Sequence, residues 1–194
     1  MHLGCTTIES ICEGLRTKDQ RLNLSDNAKI GVECYEDFQE KMTRDEVKLI
    51  SQIVKNAVRE RYRDAEIRTM GSYRRGKESC GDVDILITHE KYVNCTPKGA
   101  VDDVVERLRR RGHITHHLKR VDTSGIFSTD YDATKAKTAS TTTPTIEKSS
   151  SYMGVFNSPT VPGKRRRIDI KFYPYREKAF LRHYTLLVMV ISID

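Results

Sequence analysis

The run Asp82-Val83-Asp84-Ile85-Leu86-Ile87 constrains this chain more than any other stretch. Side chains two apart on a strand share a face. Val83, Ile85 and Ile87 are therefore expected to enter a core, with Asp82 and Asp84 side by side on the opposite face. Two carboxylates ~4 Å apart repel by roughly 4 kcal/mol at an effective dielectric of ~20. A strand keeps such a pair when a shared proton, nearby arginines or a divalent cation offsets the cost, and the cation does so best. The alternative is alternating charge on an exposed strand.

The residues just upstream favour the cation. Gly71-Ser72-Tyr73-Arg74-Arg75-Gly76 follows a strand-like segment. A glycine and a serine there offer backbone amides and a hydroxyl to an anion, and Arg74 and Arg75 add positive charge. An ordinary helix cap at Ser72 beside two solvated arginines is the plainer reading of that turn by itself. A third carboxylate lies in Arg166-Arg167-Ile168-Asp169-Ile170-Lys171-Phe172, where Asp169 shares a face with Arg167 and Lys171. If this strand lies beside the first, three carboxylates converge. Oxygen donors with open positions suit Mg2+ or Mn2+, which take further oxygens from substrate phosphates. Two such ions ~3.5–4 Å apart serve the attacking and leaving oxygens of an in-line displacement. A triphosphate held by Gly71–Gly76 would sit against them.

The rest of the chain reads as α+β. Thr7 can cap a turn holding Ile8, Ile11 and Leu15, and Gly31 separates a second segment with Val32, Tyr35 and Phe38. Thr43 and Glu46 have the spacing of a capping box. Val47, Ile50, Val54, Ala57 and Val58 then recur at helical spacing. A third helix is expected from Thr96-Pro97, with Val101, Val104 and Leu108 inward and arginines at its C-terminal end. Strands are expected over residues 66–70, 82–88, 113–119, 152–156 and 166–173. Between Ser128 and Ser151, 12 of 24 residues are Ser or Thr without apolar period. That stretch reads as a disordered insertion. The whole predicts a mixed β-sheet with helices on one side.

Charge and cysteines bound the setting. The net charge is +7, with basic clusters at Arg107–Arg111 and Lys164–Arg167. Clustered positive charge favours an anionic polymer, and a solvated face is the alternative. For Lys164–Arg167 the expectation is phosphate contact or plain solvation. Five cysteines without CxxC spacing argue against disulfides and zinc. Cys80 reads as a small tolerated residue, and His113, His116 and His117 as structural or surface groups. No secretory segment and no run of ~18 apolar residues is visible, so the expectation is a soluble, intracellular protein with no membrane partner.

At these residues the chain resembles the family X DNA polymerases. The resemblance rests on Gly-Ser-Tyr-Arg-Arg-Gly followed by Gly-Asp-Val-Asp, and on further segments in order. These are Gly4–Glu9, Ile30-Gly31 leading to Tyr35–Phe38, Arg44-Asp45-Glu46, Tyr152–Val155 and Arg166–Asp169. It implies a nucleotidyltransferase-like palm over residues 41–181, preceded by a partial, fingers-like helical DNA-binding subdomain over residues 1–40. The implied activity is two-metal transfer of a nucleotide from dNTP to a primer 3′-hydroxyl, in base-excision or end-joining repair, in the nucleus. Asp82 and Asp84 would bind both ions, Mg2+ or Mn2+. Asp169 would bind the catalytic ion and help activate the hydroxyl. Gly71, Ser72, Arg75 and Gly81 would hold the triphosphate, with Lys41 where the family often has arginine. Lysine keeps the charge but not the planar fork.

Departures from the family pattern set the alternatives. The first DNA-gripping hairpin and any lyase or BRCT-type domain have no counterpart. After Phe180-Leu181 the sugar-contacting turn and the thumb are replaced by a divergent tail, residues 182–194. This reads as a truncated or misjoined gene product or a splice variant, inactive as written. The competing functions are a catalytically incomplete DNA-binding fragment, or a nucleotidyltransferase on the same palm that acts on RNA ends or small molecules.

Overall fold

A computed structural model describes residues 7–17, 24–122, 146–147 and 149–179. In chain order it contains α1 (Ile8–Arg16), α2 (Asp26–Glu33), α3 (Tyr35–Gln39), β1 (Met42–Thr43), α4 (Arg44–Arg59) and β2 (Glu66–Thr69). Next come α5 (Gly71–Arg74), β3 (Ser79–Cys80), β4 (Asp82–Thr88), β5 (Thr96–Pro97) and α6 (Ala100–Arg110). The chain continues through β6 (Ile114–Asp122), β7 (Ile146–Glu147), β8 (Ser150–Asn157), β9 (Arg165–Phe172) and a 3-10 turn at Tyr175–Glu177.

Alternation in the strands and apolar stripes on two helices account for the layers. Five strands form one mixed sheet in the order β2-β4-β9-β8-β6, in which only β4 and β9 run parallel. Val83, Ile85 and Ile87 of β4, with Ile168, Ile170 and Phe172 of β9, are buried on one face of the sheet. Tyr152 and Phe156 of β8 join the same core. Helix α4 covers it with Val47, Ile50, Val54, Ala57 and Val58, and α6 with Val101, Val104, Val105 and Leu108. Burying each such side chain contributes roughly 1.5–3 kcal/mol. The opposite face carries Asp82, Asp84, Arg167, Asp169 and Lys171. No described helix is long and apolar enough to cross a membrane, and Cys12, Cys34, Cys80 and Cys95 are free thiols.

Several details differ from the sequence reading. Gly31 lies inside α2, and the break falls at Cys34, whose amide donates to Ile30 O and Val32 O. One glycine weakens a helix by only about 1 kcal/mol, and the Ser25 side chain caps the start of α2 by accepting from the Ala28 amide. Thr96 and Pro97 do not open a helix. They pair with Ile146 and Glu147, and α6 starts after Gly99, which has φ +70°. The C-terminal end of the Ser/Thr-rich stretch is ordered: Ser150 and Ser151 begin β8. The rest of that stretch before Ile146 lies outside the described residues, as do residues 1–6 and the tail from Phe180.

The expected capping box at α4 is half made. The Thr43 hydroxyl accepts from the Glu46 amide at 3.2 Å. Glu46 does not reach back to Thr43. Its carboxylate is 4% exposed and bonded to Arg166 Nε at 2.8 Å and to the Ser158 hydroxyl at 2.6 Å. A buried guanidinium outcompetes a backbone amide for a carboxylate, because charge-assisted bonds are about twice as strong.

Candidate active site

The parallel pairing of β4 and β9 sets Asp84 directly opposite Asp169 and Asp82 opposite Arg167. Because their apolar neighbours are committed to the core, the three aspartates have only the open face to occupy. Lys171 stands over them. Its ammonium is 3.5 Å from Asp169 Oδ2 and 4.0 Å from Asp84 Oδ1. That one cation does not offset the crowding. Burial, then the Asp82 charge, pushes the Asp84 carboxyl up from 3.8 to about 6, against the pull of Lys171. Burial also raises Asp169, again opposed first by Lys171. Both carboxylates are held in a state that a further positive charge would relieve.

The Gly71–Gly76 turn closes against this patch. The Met70 amide donates to Asp84 O at 2.8 Å, so the strand delivers the turn beside the carboxylates. Gly71 has φ +57°, and a Cβ built on it would meet Asp84 Oδ2 at 2.0 Å. The backbone passes where only glycine fits. Gly71→Ala is therefore expected to cost at least about 1–2 kcal/mol from backbone strain alone and to displace Asp84. Urea unfolding would show it, and a cost near zero would mean that the turn does not crowd the carboxylate. The Ser72 hydroxyl is buried without a hydrogen-bond partner among the described residues. Arg75 is near enough for its charge to lower Asp84. Gly81 links β3 to β4, with Arg167 Nη2 3.8 Å from the position of a built Cβ. Arg167 also lies over the Phe38 ring at 5.8 Å.

Asp82, Asp84, Asp169, Gly71, Ser72, Arg75 and Gly81 thus fall around one patch. Lys41 stands apart. It is exposed, one residue before β1, and β1 pairs with Ser79–Cys80 at the exit of the turn. Among the described residues no hydrogen bond or ion pair joins Lys41 to the others. Nor, among the described residues, does any group of three or more His, Cys, Asp or Glu side chains stand so that it could hold a metal ion by itself. An open carboxylate patch still fits magnesium, which dehydrates reluctantly and is held through one or two carboxylates plus substrate phosphates. The raised Asp84 and Asp169 carboxyls and the unpartnered Ser72 hydroxyl are the local signs of that fit.

The Lys164–Arg167 run behaves differently from either expectation. Lys164 pairs with Glu40 at 2.7 Å and Asp37 at 3.5 Å. Arg165 pairs with Asp37 at 2.8 Å and Glu33 at 2.5 Å. Arg166 is buried on Glu46. Three of the four cations thus bind acids of α2, α3 and α4, and only Arg167 is left facing the carboxylates. His113 stacks on Phe156 at 5.5 Å and His117 Nδ1 is 2.9 Å from the Tyr152 hydroxyl, while His116 Nε2 lies 3.8 Å from Glu33. Sequence reasoning misses Arg44, whose guanidinium donates to two carbonyls of the turn. Its partners lie 29 and 33 residues away, and carbonyl partners leave no mark in a sequence.

A mixed sheet with three carboxylates on parallel neighbours and a glycine-serine turn packed against them defines a nucleotidyltransferase-type palm. Residues 41–175 match the DNA polymerase beta palm family. The chain belongs to the family X DNA polymerases. It is 29% identical to rat DNA polymerase lambda over 178 residues, 92% of this chain and 26% of that protein. It is 31% identical to Arabidopsis thaliana DNA polymerase lambda over 164 residues, 84% of this chain and 26% of that protein. Human DNA-directed DNA/RNA polymerase mu is 35% identical over 109 residues, 54% of this chain and 22% of that protein. The chain spans about a quarter of the length of these relatives.

Proposed function

We propose that this chain carries the nucleotidyl-transfer centre of a DNA-directed DNA polymerase that adds a deoxynucleotide to a primer 3′-hydroxyl on a primer-template. The observation that carries the reading is the register of Asp84 against Asp169, with the Gly71–Gly76 turn closed on Asp84. Asp82, Asp84 and Asp169 would hold two Mg2+ or Mn2+ ions. Such ions, when bound, neutralise phosphate charge and stabilise the attacking and leaving oxygens. The Ser72 hydroxyl donates to a phosphate oxygen, which gives that buried group the partner it lacks. Amides at the start of α5 have no carbonyl within the helix to bond and would be available to the same ligand. Arg75 adds charge to the outer phosphates, and Lys41, exposed beside the strand that pairs with Ser79–Cys80, would contribute only as a point charge. Asp169, with its raised carboxyl, is suited to orient the primer hydroxyl and accept its proton.

The named relatives support DNA as the polymer, and we place the reaction in base-excision or end-joining repair in the nucleus. Little of the Lys164–Arg166 charge is free for DNA, so primer-template contact falls to Arg167 and the remaining surface cations.

Metal-dependent capture of dATP tests the reading. Calorimetry is expected to show dATP binding only with Mg2+ or Mn2+, and Asp82→Asn should weaken it by about tenfold or more, the equivalent of ~1.4 kcal/mol. Primer extension with and without template then separates polymerase from other transferases. Triphosphate binding indifferent both to metal and to Asp82 would overturn the proposal.

A further inference from the structure

We propose that Arg44 is the positioning residue of the triphosphate turn, setting its pose from helix α4 without touching the nucleotide; this rests on the nucleotidyl-transfer reading. The Arg44 guanidinium donates through Nη1 to Tyr73 O at 3.0 Å and to Lys77 O at 2.9 Å. Its carbon lies 4.2 Å from the Tyr73 ring centroid, well inside the ~6 Å reach of a cation–π contact. One side chain therefore holds the middle of the turn at Tyr73 and its exit at Lys77, with the Tyr73 ring against the guanidinium.

The turn has few bonds of its own, and they lie at the long end of the usual ~2.7–3.2 Å range: Arg74 N to Met70 O and Arg75 N to Gly71 O at 3.2 Å, Gly76 N to Tyr73 O at 3.1 Å, and Lys77 N to Ser72 O at 3.2 Å. Gly71 and Gly76, with φ +57° and +80°, add the backbone freedom of glycine. Arg44 is in contrast carried on a rigid frame. It is the first residue of α4, behind a capping Thr43 that pairs with Ser79 in β1–β3. The α4 stripe beneath it is buried in the core.

The bonds also orient the turn. Drawing the Tyr73 and Lys77 carbonyls toward α4 turns acceptor oxygens away from the phosphate side and leaves donors there. Charge alone does not suffice. An ammonium is a compact, strongly hydrated point charge, whereas the guanidinium bonds two carbonyls through Nη1 while its flat face lies on the Tyr73 ring.

Binding of mant-dATP with Mg2+, followed by fluorescence, tests the inference on the unaltered chain, Arg44→Met and Arg44→Lys. Arg44→Met is expected to bind about tenfold more weakly. Its affinity for Mn2+ without nucleotide should change by less than about twofold, as for an independent site. Arg44→Lys should recover little, whereas millimolar guanidinium, far below denaturing levels, should restore most of the affinity of Arg44→Met. Should Arg44→Met fail to fold, the comparison of Arg44→Lys with the unaltered chain still decides. Equal nucleotide affinity in the variants and the unaltered chain would overturn the positioning role, as would full recovery by lysine. No metal-dependent binding by the unaltered chain would instead overturn the nucleotidyl-transfer reading itself.

Discussion

Asp84→Asn is expected to make the metal-free chain about 3 kcal/mol more stable at pH 7, while removing the stabilisation that Mn2+ gives. Asp84 titrates near 6 in the folded chain against an ordinary 3.8, and each pH unit of difference corresponds to ~1.36 kcal/mol. The sign follows from linkage. A carboxyl raised on folding favours the folded state while protonated, so its contribution is full below pH ~3.8 and lost as pH rises through ~6. Burial and the neighbouring Asp82 charge are what the ionised form works against, and Asp169, also raised, acts in the same direction. Asparagine keeps the shape and has no proton to lose. It forfeits the Lys171 ammonium at 4.0 Å, on a half-exposed side chain where the pair is worth little, and the weaker pull of Arg75. Urea unfolding between pH 4 and pH 8, with and without Mn2+, is the measurement. Relative to Asp84→Asn, the unaltered chain should weaken with rising pH and recover with metal, since a ligand of the folded state stabilises by mass action. A stability difference between the two proteins that does not change with pH, or equal metal response in the variant, would sink the account of a crowded carboxylate patch.

The face carrying those carboxylates is legible in the sequence itself, and the reason is the period of two. Val83, Ile85 and Ile87 permit one register against the core, and a one-residue slip would bury Asp82 and Asp84 instead. The same reasoning commits Ile168, Ile170 and Phe172 to the core, so Asp169 has to share the exposed face. Period does not dictate which strands are neighbours. The pairing of Asp84 with Asp169 needs the crossover between β4 and β9, which no local pattern encodes. The α4 and α6 stripes are equally legible, because helical spacing of valines and isoleucines has few other solutions. The start of α6 is not. Thr96-Pro97 imitates a helix start, yet its backbone is taken by Ile146–Glu147, a partner about fifty residues away.

Charge is the least readable property. Four consecutive cations suggest a polyanion, but α2 and α3 supply Glu33 and Asp37, and the residue after α3 supplies Glu40, to Lys164 and Arg165. Those acids sit in and beside short helices whose sequence looks like ordinary solvated surface. Arg44 shows the converse. In sequence it stands in the family-like segment Arg44-Asp45-Glu46 at a helix start, and only the fold reveals that it grips the turn. In both cases the partner lies far along the chain, and a charge gives no sign in sequence of what it will meet.

Breaking the Glu46–Arg166 pair should destabilise the chain most. Both side chains are 5% exposed and meet at 2.8 Å. Arg166 also donates to Asp37 O at 3.2 Å and Glu40 O at 3.1 Å, so it joins α4, α3 and β9 at one point. Glu46→Ala leaves a guanidinium buried with carbonyls for company, and removing one partner of such a pair costs about 3–5 kcal/mol. A loss that large is a substantial share of a typical stability of ~5–15 kcal/mol. The double variant Glu46→Met with Arg166→Met distinguishes charge from shape. Well-packed apolar replacements of buried ion pairs are often neutral or stabilising, so the double variant is expected to be more stable than Glu46→Ala. It should still fall short of the unaltered chain, because the carbonyls of Asp37 and Glu40 lose their donor. Urea midpoints for the three proteins give the answer. A cost below about 1 kcal/mol for Glu46→Ala, the level of an exposed ion pair, would mean that water reaches the pair and that α3 is held to β9 mainly by Lys164 and Arg165.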